Sequence, residues 1–102
     1  MNSQIAVNHI VRGLILGISQ AAGEGGAGIP IIKAMLAQEG HELKESDILA
    51  HCRYLEGKGL VRVENIRNPI QHISRDIAHI TPKGIDVLEG TEQVEGIILG
   101  GE

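Results

Sequence analysis

Aromatic residues are almost absent from this sequence, which contains one tyrosine and neither tryptophan nor phenylalanine. Proteins that bind single-stranded nucleic acid commonly stack the bases on aromatic side chains. A chain with a single aromatic ring offers such a ligand very little. The composition therefore argues against a single-strand binder.

Cysteine and long apolar runs are scarce as well. The single Cys52 cannot form an internal disulfide, which is typical of proteins in a reducing cytosol. No apolar run approaches the roughly 18 residues that a membrane span needs. The apolar stretch after Arg12 is very short and ends in Ser19 and Gln20, a poor secretory signal. We therefore expect a cytoplasmic protein with no membrane segment.

A glycine-rich stretch, AAGEGGAGIP at residues 21–30, has the spacing G-x-G-x-x-G. A dinucleotide-binding turn with this spacing needs a preceding strand, a following helix and repeated strand-helix-strand units. A chain of 102 residues is one domain and has no room for those repeats. The phosphate-binding pattern G-x-x-x-x-G-K-[ST] is also missing. We interpret the glycines as a turn between two helices and expect no cofactor.

Metal and catalytic sites are not indicated either. The five histidines and Cys52 include no C-x-x-C and no H-x₃₋₅-H pair, which predicts no metal site. His51 and Cys52 are adjacent, so on a helix their side chains diverge by about 100°. Cys52 is predicted on a buried helix face, where a thiol is inert. No grouping of nucleophile, base and oxyanion donors emerges, so we expect no enzyme.

The charge is unevenly distributed along the chain, whose net charge is −4. Residues 53–83 contain six basic and three acidic residues, a local charge of +3. The other parts contain three basic and ten acidic residues, a charge of −7. A basic segment within an acidic chain suits directed electrostatic docking, although a solvated surface has the same composition.

Apolar periodicity predicts three main helices. The first spans about 4–22, with one stripe facing the core (Val7, Ile10, Val11, Leu14, Ile18, Ala21, Ala22) and with Ile5 and Leu16 on the opposite side. The second spans about 29–38, has Pro30 near its first position, and buries Ile31, Ile32, Met35 and Leu36. The third spans about 45–58 and turns Ile48, Leu49, Cys52 and Leu55 inward.

A β-hairpin and a short helix are predicted next. Residues 61–65 and 77–81 alternate as half-buried strands do, so we expect them to pair antiparallel around a long tip. Thr81 and Pro82 then favour the start of a last helix, with Ile85 and Leu88 inward. The predicted fold is mainly α with a small antiparallel hairpin, an α+β domain over residues 1–90. Residues 91–102 follow as a short acidic and apolar segment.

Two strings, YLEGKGLVRVE (54–64) and ITPKGIDVLEG (80–90), carry a family resemblance. With three helices and a hairpin in this order, the chain resembles the winged helix-turn-helix DNA-binding superfamily over roughly residues 5–90. The resemblance implies that the third helix enters the major groove and that the hairpin is a wing at the backbone or minor groove. The implied DNA-binding residues are Ala50, His51, Arg53, Tyr54, Lys58, Arg62, Arg67, Asn68, Gln71, His72 and Arg75. The implied function is a small bacterial or phage transcriptional regulator that binds double-stranded DNA.

Two acids at the start of the third helix point another way. Glu45 and Asp47 occupy the turn that usually meets base edges, where a carboxylate can accept from cytosine but otherwise repels phosphate. Acids in a first turn also simply favour the helix dipole. The alternative function is therefore a winged-helix module that docks a protein partner and binds no DNA.

Apolar residues left over by the predicted core suggest a homodimer. They are Ile5, Leu16, Val94, Ile97, Ile98 and Leu99, and an exposed apolar patch commonly marks an interface. Two alternatives remain open for residues 94–99: they fold back onto the first helix of the same chain, or they are disordered.

Overall fold

The helix boundaries follow the periodicity and the turn residues of the sequence. The computed structural model describes residues 3–99, which form an α+β fold of four α-helices and one three-stranded antiparallel sheet. The helices are α1 (Ser3–Ala21), α2 (Ile29–Gln38), α3 (Glu45–Gly57) and α4 (Pro82–Leu88). The strands are β1 (Ala27–Gly28), β2 (Val61–Asn68) and β3 (Ile73–Ile80). No helix within this range is long and apolar enough to cross a membrane.

The hairpin of β2 and β3 pairs as the alternation predicts, with Val61 opposite Ile80 and Asn65 opposite Asp76. Its tip is shorter than expected. The ladder continues to Asn68 opposite Ile73, so the turn comprises only residues 69–72. The prediction of a long tip was wrong because the pairing continues past the residues that show apolar alternation.

The glycine-rich stretch does more than separate two helices. A 3-10 turn at Gly23–Gly25 leads into β1, which pairs antiparallel with β3 through Ala27 opposite Ala78. This strand was not predicted, because two residues are too few to show an alternating pattern. The element before the glycines is helix α1 and not the strand that a dinucleotide-binding turn requires.

The core lies where α1 crosses the other elements. Val11, Ile15 and Leu16 of α1 are fully buried. Leu16 was therefore placed on the wrong side: α1 contacts α2, α3, α4 and β3, so its buried surface is wider than one stripe. The predicted stripe was also too long, because Val7 and the alanines at positions 21 and 22 are exposed towards the helix ends.

Helix α2 is buried on one stripe only. Ile32 and Leu36 are fully buried, but Ile31 and Met35 are 58% and 38% exposed. The buried pair (Ile32 and Leu36) and the exposed pair (Ile31 and Met35) form two adjacent stripes, about 100° apart on the helix. The prediction that all four are buried was wrong because only the Ile32 stripe faces the other elements.

Helix α4 begins as the sequence predicts. The Thr81 hydroxyl oxygen accepts a hydrogen bond from the Gly84 N–H at 3.1 Å, and Pro82 follows at the first helical position. The same hydroxyl donates to the Gly59 carbonyl at 2.6 Å. A Cβ at Gly84 would overlap the Leu60 carbonyl, so glycine is required for this close approach. The cap therefore holds α4 against the start of β2.

Residues 91–99 fold back onto α1 of the same chain, as one of the two alternatives expected. The Ile98 N–H donates to the His9 carbonyl at 3.0 Å, and Val94 and Ile97 pack against the core. A Cβ at Gly13 would overlap the Ile98 carbonyl. Only Ile98 and Leu99 of this segment keep large exposed apolar side chains, at 41% and 40%.

Candidate functional site

Helix α3 leaves one of its sides open to solvent. Ala50 and Arg53 are exposed, and Lys58 is exposed just beyond the helix end. Arg53 forms an ion pair with Glu56 at 3.1 Å, and both side chains are well exposed. An exposed pair of this kind contributes about 0–1 kcal/mol, so the guanidinium can leave it for a stronger partner. The structure therefore presents three of the predicted α3 contact residues outward.

The neighbouring side of α3 is covered by a contact cluster around Arg12. The Arg12 guanidinium lies 3.7 Å from the centroid of the Tyr54 ring, and its Nε donates to His51 Nδ1 at 3.3 Å. It also donates to the Gly96 carbonyl at 3.2 Å, and the Tyr54 hydroxyl donates to the Glu95 carbonyl at 3.3 Å. We name Arg12, His51, Tyr54 and residues 95–96 the Arg12 cluster.

Two of the predicted DNA contacts, His51 and Tyr54, therefore have partners inside the protein. Both side chains are half-buried: His51 contacts Arg12 of α1, and Tyr54 contacts Arg12 and the Glu95 carbonyl of the segment 91–99. A Cβ at Gly96 would overlap the Tyr54 hydroxyl, so the segment approaches the ring as closely as a glycine permits. No local pattern identifies Arg12 as their partner, because it lies 39 residues from His51 in the sequence.

The electrostatics of the Arg12 cluster keep His51 uncharged. Burial and the positive charge of Arg12 lower the pKa of His51, and only Asp47 acts in the opposite direction. Because Nδ1 accepts the hydrogen bond from Arg12, the imidazole proton lies on Nε2. The ring therefore acts as a neutral acceptor that orients the guanidinium over Tyr54.

Glu56 connects α3 to the hairpin. One carboxylate oxygen accepts from the Val63 N–H at 3.0 Å while the other pairs with Arg53. These contacts lower the pKa of Glu56, with the hydrogen bond from Val63 as the main cause. The bond ties the start of β2 to the last turn of α3.

The predicted hairpin contacts are all exposed. Arg62 lies near the base of β2, and five predicted residues surround the tip: Arg67, Asn68, Gln71, His72 and Arg75. The Asn68 side-chain oxygen accepts from the N–H groups of Ile70 and Gln71, at 3.2 Å each. His72 has a positive φ of 54°, a conformation that non-glycine residues rarely adopt. The Asn68 side chain thus stabilises the conformation of the turn.

Sequence reasoning missed the isoleucines of the tip. Ile70 is 89% exposed, and Ile66 and Ile73 are 44% and 36% exposed. Apolar alternation in a strand normally indicates a face that packs on the core. These residues lie where the hairpin has extended beyond the core, and nothing local in the sequence marks that point.

Other chemistry has little support in the described part of the chain. Burial raises the pKa of Cys52 to about 11, so the thiol stays protonated. Residues 3–99 contain no group of three histidine, cysteine, aspartate or glutamate side chains that could hold a metal ion. Glu45 and Asp47 are exposed in the first turn of α3, as the helix dipole favours.

Comparison with known proteins adds no further constraint. No protein-family model, curated protein or solved structure matches the chain. The chemistry of the site therefore has to be inferred from its own residues.

Proposed function

We propose that the chain is a winged helix-turn-helix protein that binds double-stranded DNA. In this proposal α3 enters the major groove, and the hairpin of β2 and β3 is a wing that contacts the backbone or the minor groove. Regulation of transcription is the role that such binding would serve, with the chain as a small bacterial or phage regulator.

Unneutralised positive charge is the observation that carries the proposal. None of the ion pairs within residues 3–99 involves Arg62, Arg67 or Arg75. The three acids of the basic segment all have partners inside the protein. Glu56 bonds Arg53 and the Val63 N–H, Glu64 bonds His79 at 2.8 Å, and Asp76 accepts from Asn65 at 3.0 Å. These arginines have no acidic partner among the described residues, and Arg67 keeps only a hydrogen bond to Asn65, so their charges can face phosphates.

The arrangement of α2 and α3 supports entry of α3 into a groove. The two helices contact each other and are joined by residues 39–44, a connection about two residues longer than the usual turn of a helix-turn-helix pair. Ala50 is small, so the helix can approach base edges closely at that position. Arg53, one turn further on, has the reach and the donor geometry to bind guanine.

The acids at the start of α3 restrict the manner of docking. Glu45 and Asp47 are exposed and repel phosphate, so the first turn of α3 stays away from the DNA backbone. The second half of the helix, from Ala50 to Lys58, then makes the contacts. This proposal differs from the usual docking, in which the first turn of the recognition helix meets the bases.

A protein-docking function is the second candidate, and the exposed stripe of α2 favours it. Ile31 and Met35 are one turn apart and strongly exposed, and the acidic first turn of α3 follows α2 in the chain. An apolar stripe beside acids suits a basic, amphipathic protein partner. If the chain docks a protein partner, Ile31→Ser should abolish binding of that partner, and replacing the arginines of the hairpin tip should leave the binding unchanged.

We also propose a homodimer, with a smaller contact than the sequence suggested. Leu16 is in the core, and Val94 and Ile97 pack within the chain. Ile5, Ile98 and Leu99 remain exposed, so the dimer contact would lie on α1 and the end of the described segment. Sedimentation equilibrium tests this. A dimer at micromolar concentration that Ile5→Glu dissociates is expected, whereas a monomer of the unaltered protein contradicts the proposal.

The salt dependence of DNA affinity tests the proposed function. With phosphate contacts from four residues, Lys58, Arg62, Arg67 and Arg75, the logarithm of the binding constant should fall against the logarithm of salt concentration with a slope of roughly −3.6. Arg67→Ala with Arg75→Ala should reduce the slope by about 2 and the affinity at 0.1 M salt on the order of 50-fold.

A matched control removes two other positive charges, by Lys33→Ala with Lys83→Ala. Lys33 lies on α2 and Lys83 near Glu92, at 3.8 Å, so neither belongs to the tip. Fluorescence anisotropy with mixed duplexes measures both pairs. Equal losses in the two double variants, or no binding by the unaltered protein at 50 mM salt, would refute the proposal.

A further inference from the structure

The hairpin tip has two chemically different faces. Residues directly opposite in an antiparallel pair have their side chains on the same face of the ladder. One face therefore carries Asn65, Arg67, Ser74 and Asp76, and the other carries Ile66, Asn68, Ile73 and Arg75. On the first face the Asn65 amide donates to Ser74 and Asp76, and Arg67 Nε donates to the Asn65 side-chain oxygen at 3.1 Å. The second face exposes its isoleucines.

The turn at the end of the hairpin presents one more isoleucine. Ile70 is 89% exposed, more than any other large apolar side chain within residues 3–99. The two N–H donors that Asn68 accepts belong to Ile70 itself and to Gln71, so the turn is held with Ile70 at its end. The side chain is thus presented by an ordered turn, and little further ordering is needed before it binds.

The charges around Ile70 indicate its partner. Residues 65–75 contain Arg67 and Arg75 but no acidic residue, in a chain of net charge −4. The two arginines lie on opposite faces of the hairpin, so one is available on each side of the tip. The minor groove of DNA is about 6 Å wide and is bordered by one phosphate strand on each side. A second copy of the same basic tip would instead be repelled.

We propose that the Pro69–Ile70 turn is an apolar wedge that enters the minor groove and partly unstacks a base step. Arg67 and Arg75 contact the phosphate strands on the two sides while Ile70 inserts between the bases. Wedges of this kind in other minor-groove proteins kink the duplex by about 20–90°. The wedge makes the chain a DNA-bending protein, and this inference rests on the DNA-binding function proposed above.

The test uses the full chain and a duplex of about 30 base pairs with a fluorophore at each end. Ile70→Ala should weaken binding roughly tenfold, because most of the buried apolar surface of the side chain is lost. It should also remove the increase in energy transfer that reports the bend. The salt slope should not change, because no charge is removed. Ile70→Leu, which keeps the apolar bulk, should restore both affinity and bending.

The outcomes separate the wedge from the DNA-binding function itself. Binding and bending that are unchanged in Ile70→Ala would overturn the wedge and leave the DNA-binding function intact. Failure of the unaltered protein to bind the duplex would overturn both. If Ile70→Ala alters sedimentation of the free protein and not its DNA binding, the tip contacts a second copy and the wedge is again refuted.

Discussion

One side of α3 is held by the rest of the chain, and the side next to it is left to solvent. His51 and Tyr54 contact Arg12, and Tyr54 also reaches the segment 91–99 through Glu95. Ala50 and Arg53 are exposed, and Arg53 has only an exposed partner within its own helix. The first side ties α1, α3 and the segment 91–99 together. The second contributes little to that assembly, so it is available to a ligand.

The largest expected effect is a loss of stability on the side of α3 that carries His51 and Tyr54. Tyr54→Ala should lower the free energy of unfolding by about 2–3 kcal/mol, below the 3–5 kcal/mol typical of fully buried aromatic residues because the ring is half-buried. The loss comes from packing and from the contact with Arg12 at 3.7 Å. Urea unfolding measures it.

Two variants sharpen this comparison. Tyr54→Phe removes only the long hydroxyl bond to Glu95, so it should lower stability by about 0.5 kcal/mol. Arg53→Ala should lower it by less than about 1 kcal/mol, because its ion pair is exposed. Equal losses in Tyr54→Ala and Arg53→Ala would remove the distinction between the two sides.

The next effect lies on the solvent side and concerns DNA. Arg53→Ala should weaken binding to a preferred duplex roughly tenfold and reduce the preference for that duplex over others, because a base-edge contact is lost. Competition anisotropy with two duplexes measures the ratio of affinities. A uniform loss over all duplexes would assign Arg53 to a phosphate instead of a base.

The smallest expected effect is the contribution of His51 to the pH dependence of stability. The pKa of His51 is lowered in the folded chain, while the unfolded chain has the ordinary value of about 6.5. As the pH falls below 6.5 the unfolded chain binds a proton that the folded chain resists, so the stability present above pH 6.5 is progressively lost.

The variant His51→Gln removes this titration and keeps an acceptor for Arg12. Unfolding by urea at pH 7.5 and pH 5.5 should therefore show a smaller loss of stability in the variant than in the unaltered protein. The same loss in both proteins would assign the pH dependence to groups other than His51.

Much of the fold was predictable because local rules determine element boundaries. Helix α2 begins at Ile29 as predicted, directly after the glycine-rich turn. Helix α3 begins at Glu45 as predicted, shortly before the apolar residue Ile48. Thr81 caps α4 as predicted. The hairpin pairs residues of the predicted strands because alternation fixes the register when one face is buried.

The wrong burial predictions share one physical cause. Apolar periodicity identifies the apolar stripes of a helix, but it does not reveal which of them the neighbouring elements cover. Leu16 is buried because the neighbours of α1 cover its side of the helix, and Ile31 is exposed because the neighbours of α2 leave its stripe uncovered. His51 and Tyr54 were predicted to contact DNA, yet the distant Arg12 lies against both and Gly96 lies against Tyr54. The candidate DNA residues of the hairpin are exposed, because no part of the described chain lies over the tip.

The most direct test of the central claim is a titration of the isotope-labelled chain with duplex DNA, followed by amide NMR shifts. DNA binding by α3 and the hairpin should shift the amides in the second half of α3 and in the hairpin tip, at residues 50–58 and 65–75. The amide of Met35 should stay unchanged, because that residue lies beside α1 and α4 and not beside the proposed interface. Shifts confined to α2 and the start of α3, or no shifts at all, would contradict DNA binding by this surface.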